Sequence, residues 1–213
     1  MAIVGHPPAA PRFLLRGVSW PTYLALRDAP ENYHVRMTYD QGTLQMMSPS
    51  KRHEKLAVLI DRMIQVWTEE SDIDIESCRT MTCRREDLES GFESDNCYYV
   101  QHAAAMRAKE ELDFSVDPPP ELAVEIDLAR SALEKLDLYA ALGVPEVWRY
   151  DGRELHVYRL ASEGRYEPSS ASVVLPGFPV AEVQRILARS AAVGEVELTR
   201  SFRDWVRAHV KRP

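Results

Sequence analysis

The sequence predicts one α/β domain with a mixed β-sheet. Three observations lead there. Segments with helical apolar spacing are interleaved with strand-like segments along the chain, and no repeat, low-complexity run or domain-sized linker interrupts them. Residues 121–150, ELAVEIDLARSALEKLDLYAALGVPEVWRY, read as a buried strand, a capped helix and a second strand. The chain has 213 residues, 45% hydrophobic and 28% charged, which suits one fair-sized domain with a real core.

The elements follow in order. Residues 1–16 begin Pro- and Ala-rich and are expected to be poorly ordered, with organised structure from near Ser19. Residues 19–26 read as a short helix with Pro21 in its first turn. Strands 35–39 and 43–47 then flank the turn Asp40-Gln41-Gly42. Ser48 is expected to cap a helix with Pro49 in its first turn. Leu56, Ile60, Met63 and Trp67, with Ala57 and Ile64 alongside, form its apolar stripe. His53 extends that stripe backwards by one turn, whereas Glu54 points off it. Strands are expected at 73–83 and 96–101, the second introduced by a loop Gly91-Phe92-Glu93-Ser94-Asp95, and a short helical patch at 103–108. In the 121–150 unit, Ser131 and Glu134 form a capping box while Gly143 and Pro145 end the helix, giving residues 132–142. A hairpin of 146–150 and 154–160 turns at Asp151-Gly152, and amphipathic helices 180–188 and 197–209 occupy the C-terminal stretch 179–213. Met46, Met47, Trp67, Trp148 and Tyr150 read as packing residues, and Tyr98 and Tyr99 face opposite sides of their strand.

Bulk properties exclude several classes. No apolar run approaches the length of a membrane span, and the N-terminus lacks a signal-peptide pattern, so the cytoplasm is the expected location. Cys78, Cys83 and Cys97 are odd in number and contain no CxxC pair, which points to reduced thiols rather than a disulfide framework or zinc site. The net charge of −7 argues against nucleic acid until its distribution is considered. Residues 109–127 hold seven acids against Lys109, a balance of −6, so the rest of the chain is nearly neutral. Lys51, Arg52 and Lys55 cluster at a helix start, and Arg200, Arg203, Arg207, Lys211 and Arg212 follow Thr199; each group is either a solvated face or a local basic surface.

The chemistry begins at Glu125 and Asp127, which share one face of an apolar strand. Like charges about 5 to 7 Å apart on a buried strand raise each other's pKa and add no stability unless a cation or a base role offsets them. Lys135 falls on the inward arc of the next helix, between Tyr139 and Leu142. It either snorkels past the core or reaches for those carboxylates. With Asp95 at the head of one strand beside Glu125 near the end of another, the parts of a divalent-metal phosphodiesterase site are present. Hard cations take carboxylate oxygens and leave positions for water and phosphate, and a nearby lysine orients the water or stabilises transition-state charge. His53 is either a supporting site residue or a helix-start histidine with a structural role.

The segments TYDQGTLQMMSPSKRHEKL, CRREDLESGFESDNCYYVQ, DPPPELAVEIDLARSALEKLDLYAALGVPEVWRYDG and LHVYRL resemble the Uma-type family of restriction endonucleases, within the PD-(D/E)xK nuclease superfamily. The resemblance runs from about Gly17 to the C-terminus. It implies an α/β/α sandwich with a central mixed sheet, DNA as substrate, and Mg²⁺ or Mn²⁺ at the strand ends. Asp95 then matches the aspartate of the PD element and Glu125 the acid of the second element. Three positions depart from the pattern. Ser94 replaces proline, Asp127 stands where the superfamily has lysine, and Gln45 stands where relatives carry glutamate after the hairpin turn. The lysine role must therefore move to Lys135, be shared, or be absent.

The resulting expectation is a metal-dependent endodeoxyribonuclease. Asp95 and Glu125 hold the metal, Lys135 assists the attacking water, His53 supports the shell, and Asp127 completes the site. Two alternatives stay open: a catalytically reduced relative that binds nucleic acid or a protein partner without cleavage, and a metal enzyme acting on another phosphodiester or nucleotide. By analogy with nucleases that cut both strands, a homodimer through the C-terminal helices is a further expectation.

Overall fold

The computed structural model describes residues 12–128 and 133–210. Strand β1 (Arg12–Arg16) lies inside the stretch expected to be poorly ordered; residues 1–11 fall outside the description. Ser19 caps α1 (Trp20–Asp28), its Oγ accepting from Thr22 N at 3.3 Å. Strands β2 (Arg36–Asp40) and β3 (Thr43–Met47) form the expected hairpin. Its two-residue turn places Gln41 (φ 42°) and Gly42 (φ 87°) in the left-handed region, which glycine adopts without a Cβ penalty.

Helix α2 (Lys51–Ser71) starts two residues later than expected. Ser50, not Ser48, is the cap, and its Oγ accepts from His53 N at 3.2 Å. Pro49 disfavours helical geometry at the residue before it, which leaves the capping task to Ser50. All six residues of the predicted stripe are buried, as is His53, while Glu54 is exposed.

Residues 73–83 do not form one strand. They supply β4 (Glu76–Ser77) to one sheet and the start of β5 (Thr82–Arg85) to another, with Arg79 (φ 45°) between them. The expected loop at 91–95 is instead largely strand β6 (Ser90–Glu93). Gly91 is required there because a Cβ would lie 2.3 Å from the Tyr23 hydroxyl. Strand β7 (Asn96–Tyr99), helix α3 (Ala103–Met106) and strand β8 (Leu122–Ile126) follow. Helix α4 (Lys135–Leu142) is described from Glu134 at its N-cap; the Ser131 half of the predicted capping box lies outside the described residues. Gly143 (φ 76°) ends it as predicted. Next come β9 (Glu146–Tyr150), β10 (Leu155–Leu160), an unforeseen β11 (Tyr166–Ser169), α5 (Val180–Leu187) and α6 (Glu195–His209).

The strands build two sheets. One is antiparallel throughout, in the order β1-β3-β2-β6-β5. The other is mixed, in the order β11-β10-β9-β8-β7-β4, and its parallel pair is β8 with β9. All five residues of β8 are buried, as a parallel strand covered on both faces requires. Period-two alternation divides its side chains. Leu122, Val124 and Ile126 join Trp148 and Tyr150 of β9 in the core beneath α2, α5 and α6. Ala123 and Val147 join Leu138 and Tyr139 of α4, with Cys83 and Phe92 of the other sheet. Each large apolar side chain in these layers contributes about 1.5–3 kcal/mol by leaving water. The mixed sheet is thus covered by helices on one face and by α4 with the second sheet on the other. Among the described residues no helix is long and apolar enough to cross a membrane.

Candidate active site

Asp95 sits where the chain passes from β6 of one sheet to β7 of the other. The β7–β8 pairing begins at Asn96 with Val124, and Asp95, just before the strand, comes alongside the end of β8, where it accepts from the Ile126 amide and its charge acts on Glu125. The two acids, thirty residues apart in sequence, are brought near one another where β7 begins beside the end of β8.

Each acid has defined partners. Asp95 Oδ2 accepts from Ile126 N at 2.8 Å, and His53 Nε2 lies 3.1 Å from the same oxygen. That histidine contact is at ion-pair distance but not aligned as a hydrogen bond, and both His53 ring nitrogens are buried without a hydrogen-bond partner. Glu125 Oε2 accepts from Lys135 Nζ at 2.8 Å and Oε1 from the Tyr139 hydroxyl at 2.5 Å. Lys135 Nζ also donates to the Glu93 carbonyl at 2.9 Å. Lys135 thus reaches for the carboxylate instead of snorkelling away from it. Tyr139, one turn along α4, holds the other oxygen.

The electrostatics divide the two acids. Burial pushes the Asp95 carboxyl up, but His53, Lys135 and the Ile126 amide outweigh it and hold its pKa below the ordinary range. Burial also raises Glu125; Lys135 opposes this, the Asp95 charge adds to it, and the net direction is up. Burial disfavours charge on Lys135, yet Glu125 and Asp95 raise its pKa on balance. The same contest raises His53, where Asp95, Glu54 and Glu125 overcome burial. Neighbouring titratable groups pushed in opposite directions are found in acid–base and metal sites and also in buried structural ion-pair networks.

Asp127 lies just past β8, with its amide still bonded to the Tyr150 carbonyl at 2.9 Å. Its carboxylate accepts from Arg149 Nη2 at 2.6 Å and lies 3.6 Å from Arg12 Nη2. The repulsion expected between Glu125 and Asp127 is thereby answered twice, by a lysine at one acid and by guanidiniums at the other. Both acids line a narrow cleft between the two sheets. His53, Lys135 and Tyr139 line it too, and Arg12, Arg36, Thr38, Gln45 and Met47 form its far wall. Gln45 is therefore a buried wall residue, paired in register with Thr38 and Leu14.

Tyr139, Arg12, Arg36 and Arg149 also line the cleft, which the sequence alone does not indicate. Tyr139 carried a signal, the four-residue spacing from Lys135. Arg149 carried another, as a cation inside the strand EVWRY.

Among the described residues no group of three or more His, Cys, Asp or Glu forms a metal cage. Mg²⁺, however, commonly takes one or two carboxylates and completes its shell with water and substrate phosphate. Two neighbouring buried carboxylates, one held in its charged form, fit that kind of ion.

The fold is that of a restriction endonuclease-like protein. The family described as "Uma2: Putative restriction endonuclease" matches residues 20–194, and the chain belongs to that family. Among solved structures, the chain is similar in fold to "a putative nuclease belonging to DUF820 from Anabaena variabilis". The TM-score is 0.52 at 16% identity, over 87% of this chain and 99% of that one. No curated protein matches the chain.

Proposed function

We propose that this chain is a metal-dependent endonuclease, acting as one restriction endonuclease-like domain, that hydrolyses DNA phosphodiester bonds in the cleft. The observation that carries the reading is Lys135 Nζ at 2.8 Å from Glu125 Oε2, with Asp95 held at the end of the same strand by the Ile126 amide. Asp95 and Glu125 would hold Mg²⁺ or Mn²⁺. When bound, such an ion supplies Lewis-acid polarisation of the phosphate and a more acidic attacking water.

The chain's own groups do the rest. Lys135 takes the task of the lysine that position 127 lacks. Its ammonium has three N–H donors; Glu125 and the Glu93 carbonyl take two, and the third is available to orient a water in the cleft. Tyr139 fixes the second Glu125 oxygen, which prevents the carboxylate from rotating away. His53 supports Asp95 in its ionised form. Free cysteines agree with a cytoplasmic setting, where DNA is available. A homodimer through the C-terminal helices would have to use their polar faces, because Leu198, Phe202 and Val206 of α6 already pack into the chain's own core.

Purified protein should nick or cut plasmid DNA with Mg²⁺ or Mn²⁺, and Asp95→Ala and Glu125→Ala should each abolish cutting. Cutting that survives both substitutions would sink the assignment. One observation favours the reduced relative: both Glu125 oxygens are already engaged by protein donors. Calorimetric Mn²⁺ titration separates the readings, since a non-cleaving relative binds no metal yet still shifts DNA at low salt.

A further inference from the structure

The acid at position 127 gathers positive charge. Asp127 Oδ2 takes Arg149 Nη2 from the mixed sheet, and Oδ1 faces Arg12 Nη2 from the antiparallel sheet. One carboxylate therefore ties together guanidiniums that come from opposite walls of the cleft. Position is fixed on both sides. Arg149 is the register partner of Glu125 in the parallel β8–β9 pair, so it stands beside that acid on the neighbouring strand. On the other wall, Arg12 and Arg36 both pair in register with Met47, which sets the two arginines in a row across β3.

The charge count supports an anion. In a chain of net charge −7, four cationic side chains line the cleft, Arg12, Arg36, Lys135 and Arg149; Arg36 is answered by Glu54 and Glu93 at 4.0 Å and Lys135 by Glu125, which leaves Arg12 and Arg149 gathered on Asp127. The guanidiniums are only partly covered, with 19% of the Arg12 side chain and 26% of Arg149 exposed. Arg149 commits Nη2 to Asp127, and its Nη1 contact to exposed Glu134 is long, at 3.5 Å. Guanidinium forks match the non-bridging oxygens of a phosphate.

We infer that Arg12 and Arg149 form a clamp for a phosphate group of the nucleic-acid backbone, and that Asp127 is the positioning residue that holds the two forks beside Glu125. This deepens the nuclease reading by giving the residue at the missing-lysine position a task of its own, and it rests on that reading for the substrate. With its carboxylate taken up by the two arginines, Asp127 would not be a metal ligand. It acts through the arginines.

The experiment measures binding without metal and cutting with it. A fluorescein-labelled DNA duplex is titrated by anisotropy in chelator-containing buffer over a salt series, using the full chain. Arg12→Ala and Arg149→Ala should each weaken binding and flatten the slope of log K against log salt by about 0.9, one phosphate contact apiece. Arg107→Ala, exposed and outside the cleft, should leave the slope unchanged. Arg149→Lys keeps the charge and guards against a folding artefact; its slope should stay near wild type while its cutting rate falls.

Asp127→Asn is the decisive variant for positioning. Losing a negative charge should leave duplex binding equal or tighter, yet cutting at saturating DNA should fall about 10- to 100-fold as the forks lose their geometry. Asp127→Glu should recover part of the rate. Wild-type slopes for both alanine variants, or an Asp127→Asn enzyme that binds tighter and cuts faster, would overturn the clamp. If wild type never cuts but the slopes shift as stated, the nuclease reading fails and the clamp stands. If wild type cuts and the slopes do not move, the clamp alone fails. A wild type that neither binds nor cuts duplex removes both.

Discussion

Lys135→Met removes the cation beside a buried acid. In the native protein Glu125 is 6% exposed and takes hydrogen bonds from Lys135 and Tyr139; without the lysine only the tyrosine remains. Breaking a buried ion pair from one side costs about 3–5 kcal/mol, because the surviving charge is left uncompensated. The lysine side chain is 22% exposed, which places the expected loss near the low end, about 3 kcal/mol. At roughly 2–4 °C per kcal/mol for a domain of this size, Tm should fall by about 6–12 °C. Glu125→Gln alone strands the ammonium against the Glu93 carbonyl and should also destabilise. The double variant, Lys135→Met with Glu125→Gln, leaves no buried charge in the pair and should recover part of the loss. Urea denaturation of all four proteins gives the coupling energy, expected to exceed about 1 kcal/mol. A single variant within about 0.5 kcal/mol of wild type, or losses that simply add, would refute the pairing.

Three further outcomes follow. Tyr139→Phe removes a buried donor to Glu125 Oε1 and should cost about 1–3 kcal/mol by the same denaturation assay, with no change in the overall fold by circular dichroism. Gly91→Ala places a methyl 2.3 Å from the Tyr23 hydroxyl, a ring packed between Trp20 and Tyr39, and should destabilise by about 1–3 kcal/mol; no loss in Tm would contradict the packing of α1 on β6. Burial pushes the Cys83 thiol up to about 12, so the native protein should resist alkylation there at pH 8 and react once unfolded, as read by mass spectrometry. The sign for stability follows from the same direction. The unfolded thiol loses its proton first, so the Cys83 contribution to stability should decline as pH rises above about 8.5 toward 12.

What the sequence revealed was local. Ser19, Gly42, Gly143 and the α2 stripe act within a few residues of themselves, and each marked its element correctly. Lys135 was placed on an inward arc by periodicity alone, and its bond to Glu125 resolves the choice between two readings. The second sheet was not legible. Nothing between residues 73 and 83 states that β4 and β5 pair with different partners, since that choice is made by β7 and β6. Gly91-Phe92-Glu93 has the composition of a loop, and only Tyr23, far away in sequence, explains why a strand there needs glycine. The arginines of the cleft were missed for the same reason. Arg12 and Arg149 acquire meaning through Asp127, which each reaches from a different part of the chain.

The central claim is that Asp95 and Glu125 hold a divalent metal beside Lys135. A Mn²⁺-soaked crystal, with data collected for anomalous scattering, tests it most directly. A peak between the two carboxylates, with a bound water within hydrogen-bond reach of Lys135 Nζ, is the expected result. A crystal at saturating Mn²⁺ with no peak there, or with the ion held by other residues, would contradict it.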